Sequence, residues 1–427
     1  MLLKRRGAAV PLALALALAA ACANTGEPPG GPPDDKPPVI IGVYPESGAV
    51  VPNPRGAAVI QFDGVIDEQS GGGGVGATAG LASRILLSPT AGPVEVSWHR
   101  SSIHIRPKEG WKPGRVYQLQ VLPGIADLRR NTLKERRTIV FSTGPAIPHA
   151  SLSGAAVAWV EQRSLVGGLI RALPLPDTIA YLALVDSSGS FHLDNLPPGR
   201  YAVFAIADQN GNRVRDRREA YDSALVTLDS SAAVVLWTFL HDTAGPRLRQ
   251  VDPVDSVTAR VTFTQSLDPA QAPESLGVRV LALPDSTPVR VRGLLRQEDY
   301  DSLAARQRAA QDTTKRTPTP RDTNPDREVD TVAPPPPPPQ VAGGGAPPPA
   351  QDTSALHALL RQRPVPQDKL MMLFEAPLAP GGRYYVEVLR VRNLNGAAGG
   401  GHAVLVVPKP KPVAQDTTRA RRDSTRP

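Results

Sequence analysis

Short runs of alternating apolar and polar residues fill the first third of the chain after residue 38. Seven such runs, rich in Val, Ile, Tyr and Phe, lie between residues 38 and 145 and are separated by Pro, Gly or Asn. Alternation with a period of two predicts strands with one buried face, and about seven short strands in roughly 110 residues are typical of an antiparallel β-sandwich. The runs are PVIIGVYPESGAVV, AAVIQFDGVID, RILLSP, PVEVSWH, SIHIRP, RVYQLQVL and RTIVFST.

Residues 148–242 carry a second pattern of the same kind. Strand-like runs begin at Tyr181 and at Arg200, and Phe191 and Leu193 alternate onto one face of a run between them. Gly189 and Gly199 stand in the intervening turns, where glycine can adopt a positive φ. This region is therefore predicted to be a second β-sandwich.

A third unit, built from residues 243–299 and 367–408, repeats the first. Three blocks match in the same order, which composition alone does not explain, so we predict a second, divergent sandwich of the first kind. The matched blocks are 246–253 with 38–45, Phe263 and Leu267-Asp268 with Phe62 and Ile66-Asp67, and 378–388 with 111–121.

A low-complexity insertion at residues 300–366 divides this third unit. It contains a run of prolines from Pro334 to Pro339, a triple glycine and repeated Gln-Asp-Thr, a composition that favours disorder or polyproline II. Within it, residues 354–361 are compatible with a short helix. The basic tail at 409–427 is also predicted to be disordered. The complete prediction is all-β: tandem β-sandwich domains with a disordered Pro-rich insertion and tail.

The N-terminus has the features of a secretion signal. A basic segment at residues 4–6 precedes an apolar run that is too short to span a membrane comfortably, which predicts a signal peptide over 1–21. Three alanines precede Cys22, and the arrangement resembles a bacterial lipobox, in which the cysteine is acylated and becomes the mature N-terminus. Residues 22–37 then form a lipidated, flexible tether. The alternative is ordinary signal cleavage that leaves Cys22, the sole cysteine, as a free thiol.

The charge of the chain adds little to this picture. The formal net charge is +8 and the isoelectric point is near 9.7, values that suit an anionic partner. Much of the positive charge lies in segments predicted to be disordered, and no basic stripe alternates with aromatic residues. Nucleic-acid binding is therefore not predicted.

The strongest candidate for a binding site is the acidic and amide-rich loop at residues 208–219. Six residues fall at positions 1, 3, 5, 7, 9 and 12, the spacing of oxygen ligands in an EF-hand calcium loop. The helices of an EF-hand are missing, and Arg213 occupies the position that favours glycine. The alternative is a hairpin loop whose Asp and Asn side chains bond their own backbone. The predicted ligands of a weak calcium site are Asp208, Asn210, Asn212, Val214 (through its carbonyl), Asp216 and Glu219.

No set of catalytic residues is visible in the sequence. The seven histidines do not cluster along the chain, and no Gly-x-Ser-x-Gly or phosphate-loop motif is present. A hydrolase remains a minor alternative, and the protein is predicted not to be an enzyme.

Two family resemblances rest on these patterns. Four segments of the first sandwich resemble the bacterial Ig-like domain of the SbsA type. They are PPVIIGVYPESG at 37–48, Val59-Ile-Gln-Phe-Asp, WKPGRVYQL from Trp111 and Ile139-Val-Phe-Ser-Thr. GSFHLDNLPPGRY at 189–201 resembles the transthyretin-like, carboxypeptidase regulatory-like sandwich. The first resemblance implies a role in extracellular scaffolding, and the second implies a non-catalytic unit.

Together these features predict a non-enzymatic cell-envelope lipoprotein that acts as a surface scaffold or adhesion module. The alternative is a carbohydrate- or peptide-binding surface module. The expected location is the outer membrane or the cell surface. The expected partners are the membrane, through the lipid anchor, and other envelope proteins or polysaccharide.

Overall fold

The computed structural model describes residues 34–72, 80–91, 93–177, 179–315 and 354–409. The predicted signal peptide, Cys22, most of the tether, the Pro-rich part of the insertion and nearly all of the tail lie outside these residues. Within them, the chain forms strands arranged in paired sheets and only two α-helices, so the all-β prediction is confirmed.

The first sandwich packs two sheets around one core. The sheets have the strand orders β1-β2-β5-β4 and β3-β6-β7. Alternate residues of β2, β5 and β6 point inward, and Ile60, Ile105, Tyr117 and Phe141 are fully buried between the sheets. The strands are β1 Ile40–Tyr44, β2 Ala58–Phe62, β3 Ile85–Ser88, β4 Val94–His99, β5 Ser102–Pro107, β6 Val116–Val121 and β7 Arg137–Ser142.

The middle sandwich has sheets of order β11-β10-β13-β14 and β12-β8-β15, with β9 paired to β8. Phe191 and Leu193 face its core, as the alternation predicts. Gly189 and Gly199 both have positive φ in the turns. The strands are β8 Ala150–Ala158, β9 Arg163–Ser164, β10 Leu169–Pro174, β11 Tyr181–Leu184, β12 Ser190–Leu196, β13 Gly199–Ile206, β14 Tyr221–Leu228 and β15 Ser231–Thr238.

The third sandwich has sheets of order β16-β17-β21-β20 and β19-β18-β22-β23 around its own core. Strands β20 and β21 are hydrogen-bonded neighbours, and the insertion leaves and re-enters the sheet between them. The strands are β16 Leu248–Pro253, β17 Thr258–Phe263, β18 Gly277–Leu283, β19 Thr287–Pro288, β20 Val291–Leu295, β21 Lys369–Phe374, β22 Arg383–Arg392 and β23 Ala398–Val406.

Local details of the first sandwich recur in the third. Ile40 pairs with Phe62, and Leu248 pairs with Phe263, each followed by a register shift at the same point of the hairpin. The Lys112 N–H donates to the Tyr117 hydroxyl at 2.8 Å, and the Ala379 N–H donates to the Tyr384 hydroxyl at 2.7 Å. The two hydrogen bonds span the same number of residues in the two matched blocks.

The start of the insertion differs from the predicted disorder, whereas its end carries a helix where the sequence is compatible with a short one at 354–361. Helix α1, Gln297–Lys315, follows β20, and helix α2, Ser354–Leu360, precedes β21. Glu298 and Asp299 in the first turn of α1 interact favourably with its positive end. Most other residues of α1 are good helix formers, a local preference that the compositional prediction of disorder ignored.

Candidate functional site

The loop at residues 208–219 joins β13 to β14, and its side chains bond to the backbone of the loop. The Asp208 Oδ2 accepts the Arg213 N–H at 2.9 Å. The Asn210 Oδ1 accepts the Asn212 N–H at 2.9 Å, and the Asn212 Oδ1 accepts the Val214 N–H at 2.8 Å. These are the self-bonding turns of the alternative interpretation.

The remaining predicted ligands are engaged in the same way. Asp216 Oδ2 accepts from the side-chain amides of Asn210 and Asn212 at 2.7 and 3.1 Å. Glu219 is buried, and its two oxygens accept the N–H groups of Gln209 and Asp216 at 3.1 and 2.9 Å. The structure therefore brings the predicted side-chain ligands together, but most of their oxygens accept N–H groups.

The geometry gives little support to a calcium site in this loop. The Asp208 Oδ1 is buried without a hydrogen-bond partner, whereas the oxygens of Asn210, Asn212 and Glu219 already accept N–H groups of the loop. A calcium ion takes six to eight oxygen ligands, so it would have to displace several of these hydrogen bonds. In the part of the chain that the structure describes, no group of three His, Cys, Asp or Glu side chains is placed to hold a metal ion. Calcium binding stays a prediction, and the geometry favours the self-bonded loop.

Arg213 links this loop to the first sandwich. Its backbone has a φ of 62°, the left-handed conformation that explains why an EF-hand prefers glycine at the corresponding position. Its guanidinium donates to the carbonyls of Ile85 at 2.6 Å, Ser83 at 2.9 Å and Ala82 at 3.2 Å. Burial lowers the pKa of Arg213, while the Asp208 carboxylate raises it. In the sequence, Arg213 is a departure from the EF-hand pattern, whereas in the structure it is the residue of the loop that binds the first sandwich.

Two of the carbonyls that Arg213 binds, those of Ala82 and Ser83, lie in the 3-10 helix Gly80–Arg84, and the third, that of Ile85, belongs to the first residue of β3. The last carbonyls of a helix have no partner within it, and arginine side chains commonly satisfy them. The loop thus places the Arg213 guanidinium against backbone carbonyls of the first sandwich that can accept its hydrogen bonds. We call Arg213 and these three carbonyls the arginine latch.

The outer face of β6 forms the rest of the joint between the first two sandwiches. Val116, Gln118 and Gln120 alternate with core residues and should therefore face outward, yet all three are buried. The side-chain amides of Gln118 and Gln120 donate to the carbonyls of Asp194 and Leu182 in the middle sandwich. The middle sandwich thus covers this sheet.

An ion pair stands beside this covered sheet. Arg115 Nη1 contacts the carboxylate of Asp177, and both side chains are about two-thirds buried or more. Together with the glutamine amides and the arginine latch, this pair gives the first joint four polar contacts spread over different strands.

The opposite side of the middle sandwich is covered by the insertion. Val157, Trp159, Val235, Trp237 and Phe239 form an apolar stripe on the outside of the β12-β8-β15 sheet, which we call the Trp face. Leucines of α2 and Leu394 of the third sandwich pack on it. The outer face of this sheet is therefore covered by another part of the chain, while the first sandwich contacts β11 and β12, the edge strands of the two sheets of the middle sandwich.

A third joint connects the middle and third sandwiches directly. Asn393 is buried, and its side-chain amide donates to the carbonyls of Asp242 at 2.8 Å and Ala244 at 3.0 Å and to the Gln265 side chain at 3.0 Å. Its Oδ1 accepts two N–H groups of the turn that follows it. Asn393 therefore stabilises its own turn and also binds the linker at residues 242–244.

A cleft of about 330 Å³ opens beside Asn393. Phe239 and Leu394 supply apolar walls, and Glu161 and Arg218 place opposite charges at the rim. Clefts of this size at domain interfaces are common ligand sites. This cleft joins segments far apart in the chain, and no local motif marks it.

Two histidines that the sequence left apart come together on the first sandwich. The ring centroids of His99 and His104 lie 4.1 Å apart on adjacent strands. Burial lowers the pKa of His104, and the nearby His99 adds to the effect. The pair lies on the outer face of the β1-β2-β5-β4 sheet, away from the joints described above.

Comparisons with known proteins identify the first sandwich. Residues 34–143 match the bacterial Ig-like domain family, about a quarter of the chain's 427 residues. The predicted resemblance of this sandwich to bacterial Ig-like domains is thereby confirmed; the resemblance of the middle sandwich and the lipoprotein assignment stay predictions. No curated protein matches this chain.

Solved structures that resemble the chain do so only loosely. The FN1–FN3 domains of chicken CNTN1 are 10% identical, cover 87% of this chain and 98% of their own, and give a TM-score of 0.15. BcpA, the major pilin subunit of Bacillus cereus, is 10% identical over 47% of this chain and 70% of its own, with a TM-score of 0.17. Domains 1–6 of the surface layer protein SbsC are 9% identical over 86% of this chain and 55% of their own, with a TM-score of 0.16. Overlaps this low carry no argument about arrangement or function.

Among the residues with described coordinates, neither helix has the length and apolarity needed to cross a bilayer.

Proposed function

We propose that this chain is a non-enzymatic cell-envelope lipoprotein that acts as a scaffold on the outer side of the membrane. The observation that carries the proposal is that the middle sandwich is held on both sides. The first sandwich contacts the β11 and β12 strands and the 208–219 loop of the middle sandwich, and the insertion and the third sandwich cover the outer face of its β12-β8-β15 sheet. The polar groups buried along these surfaces bond to neighbouring domains, which stabilises relative position and is what a load-bearing or spacing element requires.

The anchor is assigned from the sequence. Acylation of Cys22 would place the sandwiches beyond a short tether, at the outer membrane or the cell surface, and Ala23 is compatible with outer-membrane sorting. The Ig-like match of the first sandwich supports an extracellular location. Other envelope proteins or polysaccharide are the expected partners.

The anchor is tested by labelling cells that express the full chain with a palmitate analogue. We expect label on the wild-type protein and membrane association that detergent reverses. The Cys22→Ser variant should be unlabelled and should fractionate as a periplasmic or secreted protein. Equal labelling and fractionation of the two proteins would contradict the proposal.

The scaffold role is tested by small-angle X-ray scattering of residues 34–427 in two forms. The wild-type profile should keep the three sandwiches at fixed mutual distances. A variant that lacks two contacts of the joints, Arg213→Ala with Asn393→Ala, should show a larger maximum dimension while its circular dichroism stays unchanged. Identical profiles would mean that the joints do not fix the arrangement.

A carbohydrate- or peptide-binding module is the second candidate function. The cleft between the middle and third sandwiches favours it, because amide, carboxylate and guanidinium groups surround an apolar wall. Glycan and peptide arrays probed with the wild-type protein test this candidate, with Glu161→Ala and Arg218→Ala as control variants. A hit that both variants retain would place the ligand elsewhere.

A further inference from the structure

We propose that the Trp face is a docking site for a short amphipathic helix, and that the chain occupies this site with its own residues 354–364 as an exchangeable internal ligand. This inference is independent of the lipid anchor. It concerns a contact that the scaffold proposal also uses, but release of α2 leaves the contacts of Arg213 and Asn393 between the sandwiches in place. It rests on the chemistry of the Trp face, the fit of the occupant and the way the occupant is attached.

The Trp face is more apolar than the outside of a sandwich normally is. Val157, Trp159 and Trp237 are at most 9% exposed, although they point away from the core of the middle sandwich. A sheet with one solvated face should show polar residues at these positions. The two indoles pack edge to face, with ring centroids 6.4 Å apart, and present a broad apolar surface.

Residues 354–364 match this surface in shape. Leu356, Leu359 and Leu360 have the spacing of one helix face, and all three pack against the Trp face. The other side of α2 carries the exposed residues His357 and Ala358. The segment is therefore an amphipathic helix laid on an apolar surface, a common way in which proteins recognise peptides.

Two contacts beyond the leucines make the match specific. The guanidinium of Arg363 lies over both indole rings, 5.4 Å from the Trp159 ring and 5.2 Å from the Trp237 ring. The Trp159 indole N–H donates to the Pro364 carbonyl at 3.2 Å. The indole nitrogen can only donate, so a partner must bring an acceptor to this place.

Residues 354–364 can dissociate from the Trp face without disrupting a sandwich. None of its leucines belongs to the cores of the three sandwiches. Strands β20 and β21, which flank the insertion, pair directly with each other, so release of the segment breaks no strand ladder. A helix of seven residues is also too short to be stable alone, which couples its folding to docking.

The test uses a fluorescent peptide of residues 352–366 and the chain 34–427 carrying Leu356→Asp and Leu360→Asp. Fluorescence anisotropy should show that the peptide binds this opened variant. Binding to the wild-type chain should be at least tenfold weaker, because the internal segment competes at millimolar effective concentration. Adding Trp237→Ala to the opened variant should abolish binding. A peptide carrying Arg363→Ala should bind about tenfold more weakly, from the loss of two cation–π contacts.

Two results would overturn the proposal: no binding to a folded opened variant, or equal binding to the opened variant, the wild type and the Trp237→Ala protein. If the double aspartate variant does not fold, the single variant Arg363→Ala replaces it, because that exposed side chain fills no core. It should bind the unmodified peptide more tightly than the wild type does and should shift tryptophan emission to the red. Wild-type behaviour in both measurements would also overturn the proposal.

Discussion

Replacing Arg213 with alanine should uncouple the first sandwich from the middle one. The substitution removes three hydrogen bonds, of 2.6, 2.9 and 3.2 Å, to carbonyls of the first sandwich. Hydrogen bonds from a charged donor contribute about 1.5–3 kcal/mol each. Regained hydration of the exposed carbonyls and the relieved cost of burying a charge offset part of that sum, so we expect a net loss of about 2–4 kcal/mol.

Differential scanning calorimetry of residues 34–427 measures the loss. For a unit of about 200 residues, the expected change lowers the first unfolding transition by on the order of 5–10 °C. The matched control is Arg217→Ala, which removes the same charge from the same loop at an exposed side chain with no hydrogen bond described. We expect this control to melt within about 1 °C of the wild type.

Replacing Arg213 with glycine distinguishes the contribution of its side-chain hydrogen bonds from the cost of its backbone conformation. Arg213 has a φ of 62°, so Arg213→Gly loses the latch but relieves about 1 kcal/mol of left-handed strain that alanine retains. The expected order of melting temperature is wild type, then Arg213→Gly, then Arg213→Ala. If Arg213→Ala melts with the Arg217→Ala control, the latch makes no contribution and the reasoning is wrong.

Three further predictions follow from other contacts. The self-bonded loop predicts that millimolar calcium leaves the melting temperature unchanged, because most of the loop oxygens already accept N–H groups. A calcium site with a Kd near 10⁻³ M would instead add about 1.4 kcal/mol to the stability at tenfold higher calcium, and a rise in melting temperature that Asp208→Ala removes would support the calcium prediction. Burial raises the pKa of Asp186, but hydrogen bonds from Ser188 and Ser190 outweigh it and hold that pKa below its ordinary value. Its carboxylate therefore contributes stability above the unfolded-state pKa, and this contribution is lost as the pH falls through the native pKa. Asp186→Ala should destabilise the protein in urea titrations at about pH 7, and the difference from the wild type should shrink as the pH is lowered through the acidic range. Asn393→Ala should cost about 2–3 kcal/mol in the same titrations, and an equal loss in the exposed Asn395→Ala control would contradict the role given to the buried amide.

Much of each sandwich follows from local pattern. Phe191 and Leu193 alternate onto the core face, and Gly189 and Gly199 take positive φ in the turns, as the sequence predicts. These features depend on neighbours a few residues apart, so strand period and turn chemistry are enough to predict them. The loop at 208–219 was also predictable as a turn dense in oxygen acceptors.

The sequence could not predict what those acceptors bind. Spacing alone fits either a cation or the N–H groups of the loop itself, and only the backbone conformation decides between them. In the structure, Asn210 and Asn212 each bond an N–H two residues ahead, and Asp208 bonds that of Arg213. The helix α1 was missed for a different reason, since a compositional criterion for disorder was applied across a segment with good helix propensity.

By itself, then, the sequence predicts the all-β fold, the strands of the first sandwich, the Ig-like character of that sandwich and several of the turns. Only the tertiary structure decides what covers the outer faces. Gln118 and Gln120 occupy positions that alternation assigns to solvent, yet they are buried against the middle sandwich. Arg213 contacts Ile85 across 128 residues, and Trp159 contacts Pro364 across 205. Alternation indicates which residues share a face of a strand. What covers that face depends on contacts between distant parts of the chain, and these contacts leave no local signal in the sequence.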